Sequence, residues 1–268
     1  MDQQTAEWLE WRKKGIGASE SAWILEKSPY GTRLDLWKLK TGRDEEKEFS
    51  VYANSKGGDT EHNLRSRHSL FTGKDFQPRL AEHDQYPFIL ASLDAYCEKT
   101  NSACEIKFVK KEYFDADFIQ EHHMLQMQHQ MLVLGIPEME YLMSCDNGST
   151  YKALTVKADK KIQNKILRAC VKFQQYVTEN RRPPLGPNDY REIKDKGTRA
   201  LVFEWKRAKV AGSKKDMERY REQILPRLKH KKMRAFGVEI SGQRFYFRDA
   251  TQAMPQAPVG QIEPNPQG

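Results

Sequence analysis

Residues 87–109 constrain the fold more than any other part of the chain. PFILASLDAYCE reads as a β-strand, KTNS as a turn, and ACEIKFV as a second strand. Both strands are rich in apolar residues and end at polar turn residues. In the second strand Cys104, Ile106 and Phe108 fall on one face, which leaves Glu105 and Lys107 together on the other. QPRLAEH just before this pair reads as one more strand, and EMEYLMSC and TYKALTV flank a turn at DNGS.

Helical patterns surround these strands. WLEWRKKG predicts a short helix ended by Gly15, and Ser19 stands where an N-cap would start a helix through Ala22, Trp23 and Leu25. LDLWKLKTG gives a third helix, and residues 50–72 a longer pattern interrupted by Gly57 and Gly58. FIQEHHMLQMQHQMLVLG is a helix ended by Gly135 and Pro137, and another runs from Asp159 to about Asn180, before RRPPLGP. Helices, strands, a helix, strands and helices in that order predict an α/β core with a mixed sheet flanked by helices.

At 268 residues the chain is one large domain or a core with an appendage. Charge separates the two. Residues 191–248 hold 18 Lys plus Arg against 7 Asp plus Glu, while residues 1–190 hold 27 against 28. The expected organisation is a core over 1–190, a basic helical extension with a terminal β-hairpin over 191–248, and a disordered tail over 249–268, rich in Pro, Gln and Gly. In the extension, residues 191–234 predict two long charged helices split near AGSKK, and AFGVEISGQRFYFRDA predicts a hairpin turning at Ser241–Gly242. A basic block of this kind suits a polyanion such as nucleic acid.

Mean hydropathy is −0.83 and no run approaches the ~18 apolar residues of a membrane span, so no membrane partner is expected. The first 25 residues lack the apolar core of a secretory signal, and the four cysteines form no CxxC pair. Reduced thiols in a cytosolic setting are the expectation.

Asp94 ends the strand PFILASLD, and Glu105 follows eleven residues later with Lys107 beside it. Adjacent strands can bring the two carboxylates to metal-bridging distance. Such a pair offers hard oxygen ligands to Mg2+ or Mn2+. A metal held there lowers the pKa of bound water and neutralises a phosphodiester's leaving oxygen. Lys107 would orient the attacking water or stabilise the charge of the transition state. E-x-K alone is more often a solvated surface pair.

The neighbours of this motif give it context. D…ExK is the signature of the PD-(D/E)XK nuclease superfamily, and WLEWRKKGIGASE, SPYGT…LW, GGDTEHNLR, ASLDAY, EIK and LQMQHQM occur in this order. In that ordered set the chain resembles the YqaJ-like viral recombinase family, the phage alkaline exonucleases, over about residues 8–135. The resemblance implies a restriction-endonuclease-like core. It implies that Asp94, Glu105, Lys107 and Gln126 are catalytic, with Gln126 beside the scissile phosphate, and that Asp94 and Glu105 bind metal with help from Glu61. Arg12 and Ser19 would hold the DNA 5′-phosphate. The implied activity is Mg2+-dependent 5′-to-3′ degradation of linear duplex DNA, with Mn2+ as a substitute. The implied partners are DNA ends, two further copies in a ring-shaped homotrimer, and a phage single-strand annealing protein. The implied setting is the cytoplasm of a bacterial host.

Rival readings are a structure-specific endonuclease on the same fold and a non-catalytic module that binds DNA ends. His122, His123 and His129 cluster on one helix, but no further ligands at zinc-type spacing accompany them, so they are assigned as polar helix residues. Trp8, Trp11, Trp23 and Trp37 are assigned to the core.

Overall fold

The computed structural model describes residues 5–43, 51–146 and 148–247. The chain divides into two compact units, the first ending at Pro187 and the second beginning at Asn188.

The first unit opens with α1 (Ala6–Lys13), the two-residue strand β1 (Ile16–Gly17), the one-turn helix α2 (Ser21–Ile24) and α3 (Arg33–Lys40). Next comes α4 (Val51–Thr72), which runs as one helix through Gly57 and Gly58 rather than breaking there. The strands β2 (Gln77–His83), β3 (Tyr86–Cys97) and β4 (Ser102–Phe108) follow. The short helix α5 (Lys111–Asp115) and α6 (Glu121–Leu134) come next, then β5 (Glu138–Ser144), β6 (Lys152–Lys157) and α7 (Lys160–Thr178). Gly135 ends α6 at φ 66°, a left-handed conformation that a side chain would strain.

One mixed sheet runs β1-β3-β4-β5-β6, with β2 also paired to β3. β2 lies antiparallel along one edge of β3. The other edge is shared: β1 pairs with it at Ile89 and Leu90, and β4 at Ala95, Tyr96 and Cys97. Residues 91–94 of that edge have no strand partner among the described residues. β4 continues into a parallel pairing with β5, and β5 into an antiparallel one with β6.

The alternation of β4 sorts its residues onto the two faces of the sheet. Ala103 packs with Met127 and Met131 of α6 and with Tyr141 and Met143 of β5. Cys104 and Ile106 pack on the other face with Leu64 of α4, Phe76 and Leu142. A third cluster joins Ile16, Ile24, Trp37, Ile89 and Val133 to Ile166 and Phe173 of α7. Trp37 is the one buried tryptophan of the four assigned to the core. Trp23 packs at its margin, and Trp8 and Trp11 are half-buried, with Arg12 4.8 Å over the Trp8 ring and the Trp11 indole donating to Glu82 at 2.8 Å.

The second unit corrects the helical reading of 191–234. Its helices α8 (Lys196–Val210) and α9 (Lys214–Ile224) are separate, as AGSKK suggested, but shorter than expected. Strands β7 (Arg191–Glu192) and β8 (Lys232–Ala235) take the ends of that stretch and join the hairpin β9 (Val238–Ser241) and β10 (Arg244–Phe247) in a sheet ordered β10-β9-β8-β7. The extension is therefore α/β, with its own core of Ile193, Val202, Trp205, Ile224, Met233, Val238 and Ile240. Residues 249–268, expected as a disordered tail, lie outside the described residues.

Candidate active site

The unpaired stretch of β3 is where the predicted carboxylates meet. One step beyond the last β3–β4 pair, Ala95 with Cys104, the register sets Asp94 opposite Glu105. The ladder stops there, and side chains take over its hydrogen bonds. Asp94 Oδ2 accepts the Ile106 N–H at 2.9 Å, Arg65 donates to the Asp94 carbonyl at 2.8 Å, and Gln130 donates to the Ser92 carbonyl at 3.2 Å.

Glu105 is wholly buried, and its carboxylate is surrounded by donors. Gln126 Nε2 donates to one oxygen and Gln130 Nε2 to the other, each at 2.6 Å, and Lys107 Nζ forms an ion pair with it. The Lys107 side chain is about a quarter exposed (26%), whereas Glu105 is not exposed at all. Burial and the neighbouring Asp94 charge push the Glu105 carboxyl up to about 7, although Lys107 and Gln130 pull the other way. Burial acts to lower the Lys107 ammonium, but the facing Glu105 and Asp94 charges outweigh it and hold Lys107 protonated above its usual range. Glu61 of α4 belongs to the same group. Burial and then Asp94 raise its carboxyl, against the Arg65 guanidinium 2.9 Å away.

Chemically this is a pocket of three carboxylates and one ammonium, in which Glu105 and Glu61 are held above their ordinary range. An oxygen-rich set of this kind fits a hard divalent cation, since such an ion would relieve the repulsion that raises Glu105 and Glu61. Glu61, Asp94 and Glu105 do not converge on a single ion's span. Among the described residues, the three ligand groups that do, with atoms within 4.8 Å of one another, are His68, Cys104 and Glu140 on the opposite face.

Arg12 and Ser19 are placed apart from this pocket in the sequence and differ in outcome. Arg12 is a fixed cation: its guanidinium lies 3.4 Å from Glu20 and over Trp8. Ser19 is exposed, but it is not a helix N-cap. It sits inside a 3-10 turn (Ala18–Glu20) that begins after Gly17. The Gly17 N–H is taken at 2.8 Å by Glu20, whose carboxylate also holds Lys40 at 2.9 Å. Burial would raise the Glu20 carboxyl, but Lys40 and Arg12 outweigh it and hold it below the usual range. The residue after this group, Ser21, meets α6 through its Oγ, 2.5 Å from His129 Nδ1. Burial lowers His129 to about 4, so it is neutral at pH 7.

Two residues of these groups escaped the sequence reading. Gln130 stands one helical turn after Gln126, and that i, i+4 spacing was the available signal. Glu20 stands three residues after Gly17, the spacing of a capping box. Gln128, between the two glutamines, faces elsewhere. It donates to the Lys157 carbonyl and accepts the Asp159 N–H, each at 2.8 Å.

The helix-flanked mixed sheet, open where Asp94 and the Glu105-x-Lys107 pair meet, is a PD-(D/E)XK nuclease fold. Residues 7–137 match the YqaJ-like viral recombinase domain. Similarity to the uncharacterized protein YqaJ of Bacillus subtilis (strain 168) is 30% identity over 175 residues, 62% of this chain. The chain spans about half of that relative's length, 54%. Among solved structures, the fold is shared with the alkaline exonuclease LHK-Exo of Laribacter hongkongensis. Its TM-score is 0.57 at 19% identity, and the match covers 66% of this chain and 94% of that one. The same exonuclease in complex with dAMP gives a TM-score of 0.58 at 21% identity over the same shares. Among the described residues, no helix is long and apolar enough to cross a membrane.

Proposed function

We propose that this protein is a Mg2+-dependent exonuclease, able to use Mn2+, that degrades the 5′-ended strand of linear duplex DNA and leaves 3′ overhangs. One observation carries the proposal: Asp94 and Glu105 face each other at the break in the β3 edge, with Lys107 paired to Glu105. Asp94 and Glu105 would hold the divalent ion, with Glu61 assisting through a bound water, and the ion would supply charge neutralisation and acidify water. Gln126 and Gln130 fix both oxygens of Glu105, so its orientation is set before substrate arrives. Lys107, protonated and partly exposed, orients the attacking water and offsets negative charge building on the phosphate. Arg12, held by Glu20, is the cation for the 5′-terminal phosphate, and the exposed Ser19 hydroxyl is a second contact.

Three further elements come with this reading: a homotrimer around the duplex, a phage single-strand annealing protein as partner, and action in the cytoplasm of a bacterial host. The basic second unit would add phosphate contacts that raise affinity without sequence preference.

The test is digestion of end-labelled linear duplex, covalently closed circular duplex and single strands with Mg2+. The proposal expects loss of the linear duplex from its 5′ ends. Cutting of the closed circle would establish an endonuclease instead, and binding without digestion a non-catalytic module.

A further inference from the structure

The face of β4 opposite Glu105 carries a second group of ligand-type side chains. Cys104 and Glu140 are register partners across the parallel β4–β5 pair. His68 reaches them from α4. Its Nε2 lies 2.8 Å from Glu140 Oε2, and the Cys104 Sγ lies 3.8 Å from the same oxygen. His68 and Cys104 are buried within an apolar cluster, while the Glu140 side chain is 32% exposed.

We propose that His68, Cys104 and Glu140 form a binding site for one divalent cation of the zinc class, with a fourth position open to water beside Glu140. The donor set of imidazole, thiolate and carboxylate suits a borderline ion and not Mg2+, which prefers oxygen alone. Bonds of about 2.0–2.3 Å to a tetrahedral ion set ligand atoms roughly 3.3–3.8 Å apart. The separations of 2.8 and 3.8 Å bracket that range, so small side-chain rotations admit the ion. The imidazole is also oriented for it. His68 Nδ1 lies 3.4 Å from the Tyr151 hydroxyl. With the ring proton on Nδ1 and bonded there, the Nε2 lone pair faces the cluster.

A hydrogen-bonded triad without an ion is the competing arrangement. There Nε2–H and the thiol both donate to Glu140. The two arrangements differ by a proton: binding the cation expels the Cys104 thiol proton to solvent, and the imidazole proton moves to Nδ1. Spacing rules miss such a site because its ligands come from three separate elements. The ion would be structural. Glu61, Arg65 and His68 recur at i, i+4 and i+7 along α4, so a cation at His68 pins the helix face that also carries Glu61.

The site is independent of the proposed nuclease reaction, and its test does not use activity. Full-length chain freed of metal with a chelator is titrated with Co2+, whose bond to a thiolate gives a charge-transfer band in the near ultraviolet. The expected result is a band that saturates at one equivalent, release of one proton, and displacement by Zn2+. Asp94→Asn keeps the band, Cys104→Ser loses it, and Glu140→Gln weakens binding at least about tenfold. A wild-type chain that shows no band overturns the proposal, however the variants fold. A band that survives Cys104→Ser overturns it as well.

Discussion

Two buried glutamates of the first unit, Glu20 and Glu105, have opposite fates. Each faces a lysine and accepts further hydrogen bonds. Glu20 faces two cations, Lys40 and Arg12, and its carboxyl is held low. Glu105 faces one cation and the like charge of Asp94, and its carboxyl is raised to about 7. Burial is nearly the same, so the balance of neighbouring charge decides the sign. Glu20 is a completed ion cluster that shapes its surroundings. Glu105 is an incomplete one, with capacity for another positive charge.

The largest effect expected from this contrast is on the reaction. Glu105→Ala and Lys107→Ala should each lower DNA digestion by about 10³-fold or more, with end binding largely kept. Digestion and gel-shift assays on one labelled duplex check both parts. Activity that survives both changes would remove the distinction between the two glutamates.

Glu20→Gln should act on stability instead. It leaves Lys40, almost buried, and Arg12, a quarter exposed, without their carboxylate. A cost of about 3 kcal/mol is expected, which thermal unfolding would read as a fall of several degrees. The same variant should blur any preference for 5′-phosphorylated over 5′-hydroxyl ends. An unchanged melting temperature would show that the Glu20 cluster is dispensable.

Gln130→Leu should be milder, about 10–100-fold in activity or metal affinity, because it removes one of several groups that orient Glu105. It also removes a hydrogen bond that lowers the Glu105 carboxyl. The acid limb of the pH–rate profile should therefore move to higher pH. A profile that does not move would assign Gln130 to packing alone.

The smallest effect is a pH slope, and it separates the two glutamates by sign. With divalent ions chelated, Glu105 has a folded pKa of about 7, above its unfolded value. Its neutral form contributes stability fully below the unfolded pKa, and that contribution is lost as pH rises through about 7. Glu20 is depressed, so its contribution is present above the unfolded pKa and is lost as pH falls through the folded one. Melting temperatures from about pH 5 to 8 should decline by a few degrees in the wild type, and Glu105→Gln should flatten that decline. Glu20→Gln should lower the melting temperature across this range and leave its slope there unchanged, because the pH dependence of Glu20 lies on the acid side.

The Asp94–Glu105–Lys107 group was legible in the sequence because strand alternation puts Glu105 and Lys107 on one face, an adjacent strand brings Asp94 beside them, and the ordered motifs around them mark the group out. The α6 helix was legible for a similar reason, through its period and Gly135. Gln130 was not, because a glutamine on a helix can donate in many directions, as Gln128 shows by capping the β6–α7 junction. Ser19 was misread because a serine before an apolar run satisfies the N-cap rule. The turn instead begins at Gly17, whose N–H is taken by the Glu20 carboxylate, and Ser19 lies inside it. In the second unit, Lys232–Ala235 alternates a buried Met233 and Ala235 with Lys232 and Arg234. That period of two was present, but four residues made of good helix formers, continuing a charged helical run, concealed it.

The unfinished edge of β3 has one more consequence, for spectroscopy. The Ile106 amide is bonded to the Asp94 carboxylate and not to a neighbouring strand. Its proton resonance and its exchange with solvent therefore follow the ionisation and ligation of Asp94. A single amide signal can thus report the state of the pocket in a chain that is turning over no substrate.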